Sequence, residues 1–309
     1  MTDCTVGVDV GATKTLAVRL GPEGQVLARV KRPTRAESAD DLIAGIAQLV
    51  GEVYDETVTG LGVGLPGMVQ ARTGLLAYSP TFPFGPAEVG AGLREKVGLP
   101  VVCDNDANAA AWAEHSLGAG AGRTTALVTV GTGLGCGMVA DGRLLRGAHG
   151  YAAEVSHIIV EPGGEPCECG LRGCFGIEAT GWAITVRARR AGKPLDFWGV
   201  AREAELTGEV VTRAARAGEP LAVAILARTG ELLGRGLAAV ANLLDPDVLV
   251  VGGGAGDAGE LMLGPARASF QERLYAADRR PQVPIVAARL GSDAGAIGAA
   301  LLGAAADGE

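Results

Sequence analysis

The sequence predicts an α/β fold of two similar domains facing each other across a cleft. Three observations predict it. Apolar runs of strand length alternate with longer runs at helical spacing over 309 residues, room for two domains of ordinary size. The opening segment repeats: Val6-Gly7-Val8-Asp9-Val10-Gly11-Ala12-Thr13 lies without a gap over Ala126-Leu127-Val128-Thr129-Val130-Gly131-Thr132-Gly133, and both copies continue as strand, glycine turn, strand, turn, strand. Polar and glycine-rich clusters follow the strands, where α/β proteins gather ligands.

Each element has a local reason. Thr5 to Val10 is an apolar run that ends in the Gly11-Ala12-Thr13 turn; Leu16 to Leu20 and Gln25 to Val30 follow as strands, joined by Gly21-Pro22-Glu23-Gly24. Leu42, Ile43, Ile46, Leu49, Val50 and Val53 recur at helical spacing, so a helix runs from Ala39 to Tyr54, with Ser38 as N-cap and Asp40 and Asp41 in its first turn. Thr59 to Leu65 is a strand stopped by Pro66-Gly67. Ala87 to Lys96 is a helix, Val101 to Cys103 a short strand, and Ala107 to Leu117 a helix. The pattern then restarts with strands Ala126 to Val130, Gly135 to Ala140 and Arg143 to Leu145. Ile177 to Leu244 is mostly helical. Val248 to Val251 is a buried strand entering Gly252-Gly253-Gly254, Pro284 to Ala288 is the last strand, and Ala294 to Leu302 is a small-residue helix. The domains are expected at 1–118, completed by a helix over 294–309, and at 119–293.

Composition narrows the function. The net charge is −8 with no basic stretch, which argues against nucleic acid or an anionic membrane as partner. The most apolar stretch, Leu237 to Val251, is broken by Asn242, Asp245 and Asp247, so no span is expected. Met1-Thr2-Asp3-Cys4 has neither a basic nor an apolar leader region, and the expected location is the cytoplasm. Aromatic residues are 4%, so Ala, Val, Leu and Ile must fill the core.

Five segments carry chemistry. Asp9-Val10-Gly11-Ala12-Thr13-Lys14 is a strand entering a tight turn whose N–H groups would cradle phosphate, with Asp9 placed for Mg²⁺ through water and Lys14 for phosphate charge; an ordinary hairpin is the alternative. Gly131-Thr132-Gly133-Leu134-Gly135-Cys136-Gly137 has glycine at alternate positions, which weakens a strand but admits a ligand close to backbone. It is neither a Walker A loop nor a Rossmann fingerprint. Gly252-Gly253-Gly254 suits a nucleotide base or ribose lying on backbone. Asp104-Asn105-Asp106-Ala107-Asn108 puts four polar side chains at a strand end, able to bind sugar hydroxyls and to take a proton from one; capping accounts for one of them. Finally, Glu154-Val155-Ser156-His157 precedes Cys167-Glu168-Cys169 and Cys174. One His and three Cys at this spacing give the four ligands of a closed, structural zinc site. Cys4, Cys103 and Cys136 read as small apolar fillers. His115 and His149 lack ligand partners, Trp112, Trp182 and Trp198 read as core or interface, and Arg187, Arg189 and Arg190 as a solvated helix face.

Taken in chain order, Asp9–Lys14, Leu65-Pro66-Gly67, Asn105–Asn108, Gly131–Gly133, Glu154–His157, Cys167–Cys174 and Gly252–Gly254 resemble the ROK family of bacterial sugar kinases, within the actin/hexokinase/Hsp70 superfamily. The resemblance covers nearly the whole chain. It implies two duplicated actin-like, ribonuclease H-like ATPase domains around a cleft, with ATP, Mg²⁺ and structural Zn²⁺, and a homodimer or homotetramer. It implies phosphoryl transfer to a hexose, glucose first, with Asp106 as the base. Gly67, Asn105, Glu154 and His157 would contact the sugar, His157 also ligating zinc with Cys167, Cys169 and Cys174. Gly11, Thr13 and Lys14 match one phosphate loop, Gly131, Thr132 and Gly133 the second, and Gly253 and Gly254 the adenosine turn.

The chain departs from the family pattern at four places. Gly176 stands where the family places a sugar-contacting Glu, with Glu178 nearby as a substitute; Thr81 replaces an Asn, Ser156 a Gly, and Ala12 a Gly. Mannose, fructose or N-acetylglucosamine are the alternative substrates. A non-catalytic sugar-binding protein is one rival reading. A sugar-responsive regulator is another; such proteins place a winged helix before the phosphate-loop strand, where this chain begins on that strand.

Overall fold

The computed structural model describes residues 3–254 and 258–304. The chain opens with β1 (Cys4–Val10), β2 (Lys14–Leu20) and β3 (Val26–Pro33), followed by α1 (Ala39–Val53). β3 runs past the expected Val30, because Lys31, Arg32 and Pro33 keep pairing with Leu16, Thr15 and Lys14. Ser38 caps α1 as expected, its hydroxyl accepting from the Asp41 N–H at 3.1 Å. Then come β4 (Val58–Leu65), β5 (Met68–Gln70), β6 (Leu75–Tyr78), α2 (Val89–Val97), β7 (Val101–Asn105) and α3 (Asp106–Ser116). The β5–β6 hairpin is too short to show a period in sequence. β7 extends two residues beyond the expected Cys103, with Asp104 and Asn105 still paired to Gly64 and Leu65.

The second series is β8 (Thr125–Val130), β9 (Leu134–Ala140) and β10 (Arg143–Leu144). Helices α4 (Phe175–Glu178), α5 (Gly181–Arg190), α6 (Gly208–Arg216) and α7 (Pro220–Leu244) follow, then β11 (Val248–Gly252), α8 (Glu260–Arg273), β12 (Ile285–Ala287) and α9 (Ala294–Ala304). The sheet orders are β3-β2-β1-β4-β7 and β10-β9-β8-β11-β12. In each, the strand before the glycine turn has its hairpin partner on one side and a parallel strand on the other. The duplication read in the sequence is therefore a duplication of strand plan. No described helix is long and apolar enough to cross a membrane.

The described chain divides into two compact units. One comprises 3–124, 137–153 and 289–304; the other 125–136, 154–254 and 258–288. The division differs from the sequence expectation, which placed 137–153 in the second domain. Gly137 explains the difference: a Cβ there would lie 2.5 Å from the Ala107 carbonyl and 2.6 Å from the Ala111 Cβ, so β9 seats on α3 from this residue onward.

In the first unit β1 and β4 pack on α9 backbone to backbone. A Cβ at Gly7 would sit 1.9 Å from the Ala296 oxygen, and one at Gly62 would sit 1.7 Å from the Ala299 oxygen. Gly298, on α9, approaches the Ala109 oxygen of α3 equally closely. The small-residue composition of α9 is thus what allows it to lie between sheet and α3. The expected helix over 294–309 is observed to Ala304, and 305–309 lie outside the described residues.

Candidate functional site

In the first unit the turn after β1 is closed by the Gly11 N–H donating to the Lys14 carbonyl at 3.0 Å. Thr34 fastens it from outside, its hydroxyl donating to the Gly11 carbonyl at 2.7 Å and its N–H to that of Thr13 at 3.0 Å. Ala12, Thr13 and Lys14 are left exposed. Asp9, one residue before the end of β1, lies against the first turn of α9, where a Cβ on Gly295 would be 2.7 Å from its Cγ. Desolvation pushes the Asp9 carboxyl up to about 6, with Lys31 opposing the shift. A cavity of about 410 Å³ beside the turn is lined by Ala12, Thr34, Arg35, Thr81 and Phe82, which places Thr81 and Ala12 on one opening.

The polar cluster at the end of β7 separates into two pairs. Asp104 and Asn108 are each 1% exposed and face inward, bonded to each other at 2.9 Å. Asp104 also pairs with Arg146 at 2.7 Å. Asn105 and Asp106 stay half-buried. Asn105 caps α3, accepting from the N–H groups of Ala107 and Asn108 at 2.9 and 3.1 Å, and its side-chain amide donates to the Gly67 carbonyl at 3.1 Å. Gly67 has φ +111°, and a Cβ would sit 2.2 Å from the Tyr78 oxygen, so only glycine turns here. Asn105, Asp106 and Gly67 are thus brought together by one cap and one amide bond.

In the second unit the turn after β8 closes through the Gly131 N–H and the Gly133 carbonyl at 2.9 Å, and the Gly131 carbonyl accepts from the Gly181 N–H that opens α5. No heavy atom lies within 4 Å of a Cβ built on Gly131 or Gly133, so both present bare backbone to open space. Gly253 has φ +70° and comes within 2.6 Å of the Val130 oxygen by the same construction. The second glycine turn and Gly253-Gly254 are therefore neighbours.

His157, Cys167, Cys169 and Cys174 also meet, with ligand atoms all within 4.8 Å of one another. The Cys169 and Cys174 sulfurs are 3.6 Å apart, and Cys167 Sγ is 3.8 Å from His157 Nδ1. A tetrahedral zinc with Zn–S near 2.3 Å requires sulfurs about 3.8 Å apart, so this donor set fits zinc in kind and in spacing. Gly173, at φ +76°, brings the chain onto Glu161, where a Cβ would lie 1.7 Å from the carbonyl oxygen. Glu154 keeps much of its surface, but desolvation of its carboxyl raises its pKa above the usual range, with His157 opposing. Cys4, Cys103 and Cys136 are buried as expected, and desolvation pushes the latter two up to about 12.

Two expectations are corrected here. Glu178 is not open toward a ligand: it is 3% exposed, one oxygen accepts from the Glu165 N–H at 2.6 Å and the other from Arg187 at 2.8 Å. Arg187 is not on a solvated face: it also donates to the Glu178 carbonyl and the Thr229 hydroxyl. Desolvation lowers its pKa, with Glu178 opposing. An acidic loop facing a run of Arg was the sequence signal for this brace. Arg190 pairs with Glu165, and Arg228 and Arg235 with Glu161. Arg146 and Thr34 carry no sequence signal, because each acts from a different segment than the group it holds.

A model of the ROK family matches residues 5–306. The chain belongs to the ROK family. Among ROK relatives, a glucokinase from Streptomyces coelicolor is 36% identical over 306 residues, spanning 96% of both chains. The crystal structure of a ROK glucokinase from Streptomyces griseus in complex with glucose and AMPPNP matches with a TM-score of 0.87 at 37% identity, covering 97% of this chain and 99% of that one. A ROK transcriptional regulator homologous to the Escherichia coli MLC protein matches at 0.85 and 29% identity, over 98% of this chain and 78% of that one. The α/β plan of two five-stranded sheets is that of the actin-like ROK kinases.

Proposed function

We propose that this chain transfers the γ-phosphoryl group of Mg-ATP to the 6-hydroxyl of glucose. The observation that carries the reading is the Gly67–Asn105–Asp106 arrangement at the start of α3, in a chain 37% identical over its length to a glucokinase crystallised with glucose and AMPPNP. Asp106 is the base. As the sugar oxygen bonds to the γ-phosphorus and the bond to the bridging oxygen breaks, the hydroxyl proton passes to the Asp106 carboxylate, leaving glucose 6-phosphate and ADP. Asn105, Gly67, Glu154 and His157 hold the sugar. Gly11 and Gly131 close the two turns with their own N–H groups, so that the backbone N–H groups of Thr13, Thr132 and Gly133 hold phosphate oxygens; Lys14 offsets their charge, and Gly253-Gly254 receives the adenosine. Asp9 would hold Mg²⁺ through water, and the ion supplies charge neutralisation at the phosphates. His157 and the three cysteines would close around zinc, which fixes the ring of His157. Glu178 belongs to the frame of this segment rather than to the sugar contacts. Because the reaction consumes ATP, the cytoplasm is the location this reading favours.

A hexose other than glucose is the second reading, favoured by Gly176. A Cβ built there lies 3.0 Å from the Ser156 Cβ, so Ser156 fills the place where the resemblance puts a sugar-contacting Glu. Coupled ADP release across a panel of hexoses decides between the two. Asp106→Asn is expected to lower kcat by about 10²–10⁴ while calorimetry still detects sugar binding; a mutant with full turnover refutes the assignment.

A further inference from the structure

Asp104 is a carboxylate buried to 1% exposure, two residues before Asp106. One of its oxygens accepts from the Asn105 N–H at 2.8 Å and from the Asn108 side-chain amide at 2.9 Å. The other accepts from Arg146 Nε at 2.7 Å. A buried carboxylate that loses its cation is strongly destabilised, since desolvation is no longer offset. Asp104 therefore depends on a side chain that arrives from a different segment of the first unit, just beyond β10.

That segment touches the start of α3 at a second point. Gly137 lies on its first turn, with a built Cβ 2.5 Å from the Ala107 oxygen and 2.9 Å from the Asn108 Cα. From Asp104 the bonds spread to both sides of Asp106. Asn105 in turn holds the Ala107 and Asn108 N–H groups and the Gly67 carbonyl. Asn108 has its amide committed to Asp104, and its own oxygen is buried with no partner among the described residues. Asp104 makes its ion pair, among the described residues, with Arg146.

We propose that Arg146 is a positioning residue for the phosphoryl transfer, keeping the Asp106 carboxylate on the attacking hydroxyl by way of Asp104. The inference rests on the reading of Asp106 as the base. Without Arg146, the Asp104 carboxylate is left buried beside no cation and must turn away or admit water. Either response disturbs its bonds to Asn105 and Asn108 and moves the first turn of α3. A displacement near 1 Å costs on the order of 10²-fold in rate when geometry is the source of catalysis. The loss therefore falls on kcat, because the residues assigned to the nucleotide are untouched. Neutralising both partners removes the unpaired charge: in Asp104→Asn/Arg146→Met, residue 104 still offers an oxygen to the Asn105 N–H and the Asn108 amide.

The test is steady-state kinetics on the full-length chain, with Mg-ATP and the hexose that turns over fastest, alongside thermal melts. The variants are Arg146→Met, Arg146→Lys, the neutral pair and Asp106→Asn. The expected result is a kcat for Arg146→Met lower by about 10- to 100-fold, with the KM for ATP within about threefold of wild type. Arg146→Lys, which keeps a charge without the guanidinium geometry, falls between, and the neutral pair recovers most of the lost kcat. A purely structural role would lower the melting temperature and leave kcat per folded molecule unchanged, which overturns the proposal; so does a neutral pair no faster than Arg146→Met. If Arg146→Met does not fold, Arg146→Lys and the neutral pair carry the same comparison. Full turnover by Asp106→Asn refutes the base assignment itself, whatever the Arg146 variants do.

Discussion

In the first unit, the strand that carries Asp9 and the Gly11 turn is fixed by contact between backbones: β1 and β4 meet α9 where Gly7 and Gly62 leave no room for a Cβ. In the second unit, the segment that carries His157 and the three cysteines is fixed by charge. Glu161, Glu165 and Glu178 reach Arg228, Arg235, Arg190 and Arg187 on the helices beneath it. Phe175, fully buried beside Gly236 of α7, anchors its end. The same strand plan thus bears two kinds of fastening. Close packing tolerates no added volume, whereas an ion-paired loop tolerates loss of a partner in proportion to how buried that partner is.

The largest effect that would expose this difference is Gly62→Val. The added carbon falls within 2 Å of a carbonyl oxygen (1.7 Å as built), and a loss above about 4 kcal/mol is expected, read as unfolding or failure to express. Gly131→Ala sharpens the contrast, because its Cβ enters open space. Its stability should change by less than about 0.5 kcal/mol, while the KM for ATP rises. Stripping zinc with a chelator should raise hydrogen exchange across 157–174 and leave β1 and β4 protected. Arg187→Met leaves Glu178 buried and unpaired, so denaturant titration should show a loss of about 3 kcal/mol. By contrast, the exposed Arg190→Met should melt indistinguishably from wild type.

A pH signature belongs to the first unit. The proposed role of Asp9 toward Mg²⁺ requires an ionised carboxylate, and burial has raised its pKa to about 6. At limiting Mg²⁺, turnover should fall as the pH drops through about 6, and added Mg²⁺ should move that limb to lower pH. The sign for stability is opposite. A carboxyl raised above its unfolded value favours the folded state fully below 3.8, and this contribution is lost as pH rises through about 6. Measured metal-free, the melting temperature of wild type relative to Asp9→Asn should fall over that window, and a difference that rises would contradict the assigned environment.

The parts of the molecule legible in sequence are those set by local rules. Ser38 capping α1, the glycine turns and the duplicated strand order follow from periodicity and turn chemistry within a few residues. The ligand spacing of His157, Cys167, Cys169 and Cys174 is legible for the same reason. Asp104 was not legible: as one of four polar residues among five it read as a ligand contact, and only its pairing with Arg146 shows it to be support. Glu178 misled for a related reason, since its nearness to Gly176 in sequence says nothing of the direction of its side chain, which turns to Arg187. Segment 137–153 was assigned by sequence order, whereas its packing follows Gly137.

The place of α9 has a consequence for shortened chains. The strands that need Gly7 and Gly62 against a helix are among the first parts of the chain to be made, and the helix that covers them begins only at Ala294. The second unit has all of its segments by residue 288, before the last helix begins. The first unit is complete only with the last helix, so a chain shortened before Ala294 leaves that face of its sheet uncovered while every segment of the second unit is present.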